Sequence, residues 1–216
     1  MMRLPPKLIR LGFFLLYNQL AFTYDLIAWL VSFGQWADWR RAAVQYLQPG
    51  PTLELAYGTG GFYIDLTLAG LKPVGLDMSP FMARLTAKKL RRLNLSGRII
   101  QARVQALPFP EASFVNVVAT FPTKDIFGKK TLAEINRVLA TTSAARLVVV
   151  MRGQLKGTVW LTVLIEWLYQ ITSQREELVF DPLSILQAAG FEAGWEVGCF
   201  KSAAAVLIVA YKIEPL

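Results

Sequence analysis

The stretch TLELAYGTGG, residues 52–61, contains a short apolar run followed directly by a glycine-rich turn. Such a run is typical of a buried strand, and glycine lets the backbone turn tightly and lie close to a ligand because it has no Cβ. In α/β folds the turn between a strand and the next helix, at the carboxyl edge of a parallel sheet, is where ligands bind. Gly58, Gly60 and Gly61 therefore predict a ligand-binding turn.

Strand and helix patterns alternate along the chain from this stretch onward. The predicted strands are residues 52–55, 73–76, 98–102, 114–119, 146–151, 195–197 and 203–212, and the predicted helices are residues 62–69, 80–93, 129–139 and 182–189. Ser79 before Pro80 and Asp181 before Pro182 are typical helix starts. The β-branched run RLVVVM at 146–151 is typical of a strand covered on both faces. This order predicts an α/β fold with helices on both faces of a parallel sheet.

Two apolar segments stand outside this alternation. Residues 7–47 are predicted to be helical because apolar and aromatic residues recur at helical spacing, and residues 160–171 are predicted to form an inserted helix. Neither predicts a membrane span, because polar residues interrupt the tract 11–33 and the tract 159–171 is too short. Residues 1–10 do not lead into a signal-peptide pattern. We therefore expect one cytoplasmic domain.

The composition excludes several kinds of chemistry. The 216 residues include one cysteine and no histidine, which argues against internal disulfides, metal sites and imidazole catalysis. The formal net charge is +8, and residues 84–103 carry many of the basic side chains without any acid. This segment is interpreted either as a solvated helix face or as a surface for anionic lipid. Nucleic acid is less favoured because no aromatic residues are interleaved there.

Two carboxylates near the glycine turn indicate the kind of ligand. Asp77 follows the next strand, about 20 residues beyond the turn, where an acid can accept both hydroxyls of a ribose. Glu54 precedes the turn, where a carboxylate can bind an ammonium group. A dinucleotide-binding turn would need a third glycine where Tyr63 stands, so a nicotinamide oxidoreductase is the weaker alternative. The pattern favours a nucleoside that also carries a cationic group.

The chain resembles the class I S-adenosylmethionine-dependent methyltransferases, in particular the quinone- and lipid-modifying relatives of the UbiE/COQ5 type (methyltransferase type 11). The resemblance covers roughly residues 24–212. It is carried by LELAYGTG at 53–60, VGLDMSP at 74–80, ALPFPEASF at 106–114 and EINRVL at 134–139, with ILQAAGF at 185–191 and Tyr24-Asp25 in support. It implies a Rossmann-like seven-stranded sheet, mostly parallel with an antiparallel last strand. Residues 1–48 would form a helical lid region, and residues 49–216 the methyltransferase domain with an insert at about 155–172.

The resemblance also implies the cofactor, S-adenosyl-L-methionine, with S-adenosyl-L-homocysteine as the product, and the residues that bind it. Glu54 and the backbone of residues 58–60 would hold its methionine part. Asp77 would hold the ribose and Met78 would pack on adenine. The full set of expected cofactor-binding residues is Glu54, Ala56, Gly58, Thr59, Gly60, Asp77, Met78, Val104, Gln105 and Thr120, and no metal is expected.

Several positions depart from the family pattern. Arg103 replaces the acid that usually receives the adenine amino group, which leaves adenine to backbone groups and neighbours such as Val104 and Gln105. Val115 replaces an aspartate, and residues 141–145 replace a Pro-Gly-Gly turn. Ala56 replaces the first glycine of the turn, which is tolerable if that residue keeps a negative φ.

Methyl transfer needs mainly alignment of the reacting groups in a dry pocket, so the absence of histidine is compatible with it. If a base is needed, the candidates are Tyr24, Asp25 and Asp125, although Asp25 also fits a helix cap or solvated residue and Asp125 a turn residue. Thr120 would lie beside the transferring methyl group. The expected acceptor is a small or lipid- or quinone-like molecule, with peripheral contact to an anionic membrane as a further expectation. The alternative is a binding module that has kept the fold and lost catalysis.

Overall fold

The computed structural model describes residues 24–154 and 181–213. The described part starts with α1 (Tyr24–Val31), α2 (Trp36–Arg41) and a 3₁₀ turn (Val44–Tyr46). Then follow β1 (Thr52–Leu55), α3 (Gly61–Leu68), β2 (Pro73–Asp77), α4 (Pro80–Arg92), β3 (Arg98–Gln101) and β4 (Asn116–Thr120). A second 3₁₀ turn (Lys124–Phe127), α5 (Lys129–Val138), β5 (Arg146–Gln154), α6 (Pro182–Ala188), β6 (Phe191–Phe200) and β7 (Ala203–Lys212) complete the order.

The strands form one seven-stranded sheet in the order β3-β2-β1-β4-β5-β7-β6. β1 lies between β2 and β4 and pairs with both in parallel, whereas β7 pairs antiparallel with β5 and with β6. The strand order reverses direction at β1 and β4. This is the switch point where open α/β sheets form a ligand-binding crevice at the carboxyl ends of the strands. The predicted fold class is confirmed.

Apolar side chains cover both faces of the central strands, as the β-branched runs predicted. On one face, Leu53, Val117 and Val149 pack in a cluster with Leu132 and Ile135 of α5. On the other face, a second cluster is formed by Trp39 of α2, Phe62 and Leu66 of α3, and Val118, Val148 and Val150 of the sheet. Helices α2 and α3, which flank the glycine turn, therefore share a core with the strands that end beside it.

Some predicted boundaries were wrong. The predicted strand 195–197 is only the middle of β6, which spans ten residues. Trp195 and Val197 are about half exposed, because β6 is an edge strand, and its sequence lacks the apolar pattern of a buried strand. The helical N-terminal segment is confirmed from residue 24 onward, but it breaks at Phe33 and Gly34, both at positive φ. The predicted insert at 155–172 and residues 1–23 lie outside the described residues.

Candidate active site at the end of β1

The glycine turn after β1 adopts the left-handed backbone conformation that its sequence suggests. Gly58 has a φ of +55° and Gly60 a φ of +74°, and Gly60 directly precedes the first residue of α3. A Cβ on Gly60 would lie 2.4 Å from Cγ2 of Thr86 in α4. Position 60 therefore needs glycine for two reasons, its backbone angle and the closeness of α4.

The condition under which alanine at position 56 was considered tolerable, a negative φ, is not met. Its φ is +54°, a conformation that costs an L-residue about 1–2 kcal/mol. The chain is held there because the N–H groups of Ala56 and Tyr57 both point to the carbonyl oxygen of Leu76, at 2.7 and 3.4 Å. Ala56 therefore adopts the glycine-like geometry of the turn, with its methyl group exposed at the site.

Asp77, at the end of β2, stabilises the turn through hydrogen bonds. Its Oδ2 accepts a hydrogen bond from the Gly58 N–H at 2.8 Å, and its Oδ1 accepts one from the Ser79 N–H at 2.8 Å. Burial raises the pKa of the Asp77 carboxyl, and these backbone donors oppose that rise. Each carboxylate oxygen has a second lone pair, so Asp77 can also accept hydrogen bonds from a ligand.

Glu54 is fully buried beneath the turn. It is 1% exposed, and neither carboxylate oxygen has a hydrogen-bond partner among the described residues. Burial raises the pKa of Glu54 well above its usual value, and the positive charge of Arg40 acts in the opposite direction. A buried carboxyl group without a partner is costly, at about 1–3 kcal/mol, and such groups are common at functional sites. Its free oxygens can accept hydrogen bonds from a cationic ligand.

A small open cleft lies above the turn. One wall is aromatic, because the rings of Trp36 and Phe121 lie with their centroids 4.2 Å apart. The residues that line it are Trp36, Arg40, Ala56, Tyr57, Gly58, Thr59, Gly61, Phe62, Thr120 and Phe121. Ala56, Gly58, Thr59 and Thr120 are thus brought together as the sequence predicted.

The N-terminal helix is tied to this turn through Asp25. Its Oδ1 accepts a hydrogen bond from Thr59 Oγ1 at 2.6 Å, and its other oxygen forms an ion pair with Lys89 of α4. Asp25 therefore joins three elements around the site. Tyr24 begins α1, but its side chain lies outside the described part. Asp125 is exposed on the 3₁₀ turn after β4 and is not part of the cleft lining.

The residues expected around adenine lie beyond Asp77 and outside the cleft lining. Met78 is 63% exposed, Val104 is half-buried, and Gln105 and Arg103 are exposed. Gln101 of β3 donates a hydrogen bond to the Met78 carbonyl at 3.2 Å. The cleft therefore includes residues expected to hold the methionine part of the cofactor, whereas the residues expected around adenine lie on or near the surface.

Two groups of interacting residues, one at the cleft and one at the loop after β3, were not predicted. Arg40 of α2 lines the cleft and forms an ion pair with Asp65 of α3 at 3.3 Å. Glu134 accepts a hydrogen bond from the Leu107 N–H at 2.6 Å, while Arg137 donates to the Leu107 carbonyl at 2.9 Å. This second pair explains why the ALPF and EINR segments occur together: Glu134 and Arg137 hold the loop after β3.

The described residues contain no group of histidine, cysteine and acidic side chains arranged to hold a metal ion. Within the same residues, no helix is long and apolar enough to cross a membrane.

The sequence matches known methyltransferases. Residues 52–142 match a family described as a methyltransferase domain. A demethylmenaquinone methyltransferase of Thermus thermophilus is 36% identical over 58% of this chain and 60% of that protein. A ubiquinone/menaquinone biosynthesis C-methyltransferase UbiE of Geotalea uraniireducens is 32% identical over 57% of each chain. The chain thus spans less than two thirds of the length of either relative.

The fold is similar to that of solved methyltransferase structures. The structure of a methyltransferase of Aquifex aeolicus, described as dependent on S-adenosylmethionine, superposes with a TM-score of 0.59 and 17% identity, covering 97% of this chain and all of that one. These matches agree with the predicted resemblance to the class I S-adenosylmethionine-dependent methyltransferases. The two relatives named above are similar to this chain within the UbiE-type group. The comparisons therefore support the predicted family and cofactor.

Proposed function

We propose that this chain transfers a methyl group from S-adenosylmethionine to a small quinone- or lipid-like acceptor. The observation that carries the proposal is Glu54, a buried carboxyl group whose two oxygens have no partner among the described residues. Such a group is destabilising unless a ligand uses it. The ammonium group of the cofactor has the complementary charge and hydrogen-bond donors.

The side chains before and after the turn match different parts of the cofactor. Glu54 would bind the ammonium group, and the backbone of residues 58–60 would contact the methionine part. The remaining lone pairs of Asp77 would accept the ribose hydroxyls. Met78, Val104 and Gln105 would border adenine. When bound, S-adenosylmethionine supplies an electrophilic methyl group on a sulfonium.

An aromatic or quinone-like acceptor fits the wall of the cleft. Trp36 and Phe121 present ring faces beside Thr120 at the end of β4, where a flat acceptor can stack. The names of both relatives refer to quinones or their precursors. This chain's residues would then align the acceptor carbon and exclude water, which supplies much of the rate enhancement in such a transfer.

The cleft lining supplies little acid-base chemistry. Its ionisable side chains are Arg40 and Tyr57, and burial raises the pKa of the Tyr57 phenol, so this group stays protonated near neutral pH. Of the three proposed bases, Asp25 contacts the turn through its hydrogen bond with Thr59. Tyr24 and Asp125 remain candidates only if they approach the acceptor in the bound state.

We also propose that the protein contacts an anionic membrane surface, where lipid-like acceptors are found. Leu26, Trp29 and Leu30 of α1 are each more than half exposed. Lys88 and Arg92 are exposed on the neighbouring helix α4. The ion pair between α1 and α4 keeps the apolar and basic surfaces adjacent, and this combination favours anionic lipid.

The membrane proposal is tested by cosedimentation with vesicles. Phosphatidylcholine vesicles with about 30% phosphatidylglycerol should bind the protein more tightly than pure phosphatidylcholine, and salt should weaken binding. Lys88→Glu should reduce binding, whereas Lys130→Glu, an equally exposed change on α5, should reduce it less. Equal binding to both vesicles contradicts the proposal.

The catalytic proposal is tested by methyl transfer from labelled S-adenosylmethionine to a reduced short-chain naphthoquinone, with the product identified by mass spectrometry. Asp77→Asn should lower the rate at limiting cofactor more than at saturating cofactor. Ser113→Ala, a change at a loop hydroxyl that donates a hydrogen bond to the Pro110 carbonyl, serves as the matched control. Tight cofactor binding without transfer to any quinol or lipid acceptor would favour the binding-module alternative.

A further inference from the structure

Helix α1 is attached to the glycine turn near its N-terminal end. Thr59 of the turn lines the cleft and is buried, and its hydroxyl donates a hydrogen bond to Oδ1 of Asp25 at 2.6 Å. The other carboxylate oxygen of Asp25 forms an ion pair with Lys89 of α4. The start of α1 therefore lies against the turn at the edge of the cleft, held there by one carboxylate.

The rest of α1 is weakly packed. Of the α1 side chains that the structure describes, Ala28 is buried, whereas Leu26, Trp29 and Leu30 are each more than half exposed. A helix that buries so few apolar contacts detaches at a low cost in free energy. The two interactions of Asp25 are therefore a large part of what the described residues contribute to holding α1 on the turn.

The ion pair between Asp25 and Lys89 is accessible to a competing anion. The side chain of Asp25 is 48% exposed and that of Lys89 is 32% exposed. Such exposed pairs are weak and are screened by salt. Lys88 and Arg92 are exposed on the same helix, so a surface dense in phosphate groups would meet several cations there. Such a surface can compete with Asp25 for the Lys89 ammonium.

The apolar side chains of α1 favour a lipid surface over a free anion as this competitor. Leu26, Trp29 and Leu30 lose contact with water when an amphipathic helix lies in the interface of a bilayer. A phosphate ion in solution offers them no such burial. An anionic bilayer therefore acts on both attachments, because it binds the cations of α4 and takes up the apolar side chains of α1.

We propose that an anionic bilayer uncovers the cleft: its phosphate groups replace Asp25 as the partner of Lys89, and α1 leaves the turn to lie in the bilayer surface. The inference rests on the proposed function, because it uses the proposed membrane contact. The edge of the cleft is then covered in water and open at the membrane, where a lipid-like acceptor is found.

The experiment measures how fast the full chain releases bound S-adenosylhomocysteine, by stopped-flow displacement. Saturating vesicles with about 30% phosphatidylglycerol should speed release by about two- to fivefold, as expected for loss of an exposed ion pair. Pure phosphatidylcholine vesicles, and inorganic phosphate at the same concentration of phosphate groups, should leave the rate nearly unchanged. These two controls separate a lipid surface from a free anion.

Three variants separate the ion pair from the general charge of α4. Asp25→Asn keeps an oxygen that can accept the Thr59 hydrogen bond but loses the charge, and Lys89→Gln loses the opposite charge. Both should release the ligand at the faster rate in buffer alone and respond little to vesicles. Arg91→Gln is the matched control, because it removes an exposed positive charge from α4 and leaves the pair with Asp25 in place. It should release at the unmodified rate in buffer and still respond to vesicles.

A second measurement needs no bound ligand. A helix of eight residues is unstable when detached in water, so its amides should exchange hydrogen faster in Asp25→Asn than in Arg91→Gln, by about two- to fivefold. Equal exchange in these two variants, or vesicle binding that leaves ligand release by the unmodified protein unchanged, overturns this inference and leaves the proposed function intact. Equal acceleration by inorganic phosphate also overturns it. Failure of the unmodified protein to bind S-adenosylhomocysteine overturns the proposed function together with this inference.

Discussion

The positive φ of Ala56 makes the Ala56→Gly variant informative about the turn. An alanine at φ +54° costs about 1–2 kcal/mol relative to a relaxed residue. Glycine removes this cost but adds about 0.4–1 kcal/mol of conformational entropy to the unfolded chain. The variant should therefore be more stable by roughly 0.5–1 kcal/mol, which raises Tm by about 1–4 °C for a chain of this size. The assay is urea and thermal unfolding without ligand.

Ala112 is the matched control, since it has nearly the same angle, φ +52°, in an exposed loop away from the cleft. Ala112→Gly should give a similar gain. Because the Ala56 methyl group is exposed at the site, removing it should leave the affinity for S-adenosylhomocysteine within about threefold. If Ala56→Gly lowers Tm while Ala112→Gly raises it, the assigned strain at position 56 is refuted.

Three further predictions concern the turn, the buried acid and the loop after β3. Gly60→Ala should lower the free energy of unfolding by about 2–4 kcal/mol, because its Cβ would clash with Thr86 at an already left-handed angle; a loss below about 0.5 kcal/mol in urea unfolding contradicts this. Burial raises the pKa of Glu54 well above its unfolded value of about 4.3. The unmodified protein therefore loses stability as the pH rises above that unfolded value toward the folded pKa, and Glu54→Gln should become more stable relative to it over the same range. A pH-independent difference in Tm would count against this. Arg137→Ala should cost about 1–3 kcal/mol, because Glu134 and the carbonyl oxygens of Leu107 and Phe109 each lose a hydrogen bond from the guanidinium. Arg137→Lys should recover only part of this in the same unfolding assay.

The glycine turn could be predicted because its signals lie close together in the sequence. A strand, three glycines and an acid about 20 residues later specify a nucleoside site from neighbouring residues alone, and the structure brings Asp77 to 2.8 Å from the Gly58 N–H. The start of helix α4 could also be predicted from neighbouring residues, because the side chain of Ser79 accepts a hydrogen bond from the N–H of Met82.

Long-range contacts were not predictable in the same way. The pairing of Arg40 with Asp65 joins residues 25 positions apart, and nothing in either segment indicates the other. The φ of Ala56 could not be predicted from the sequence, because it depends on two hydrogen bonds to Leu76 on the adjacent strand. Such features depend on how the strands and helices pack.

The most direct test of the whole account is calorimetric titration with S-adenosylhomocysteine at pH 7.5, comparing the unmodified protein with Glu54→Gln and Asp77→Asn. The account predicts binding well below millimolar by the unmodified protein and a loss of about tenfold or more in each variant, since each replaces by an amide a carboxyl group that would accept hydrogen bonds from the ligand. Circular dichroism would verify that all three proteins are folded. Absence of binding at millimolar ligand, or equal binding by all three folded proteins, would contradict the assignment of this turn as the cofactor site.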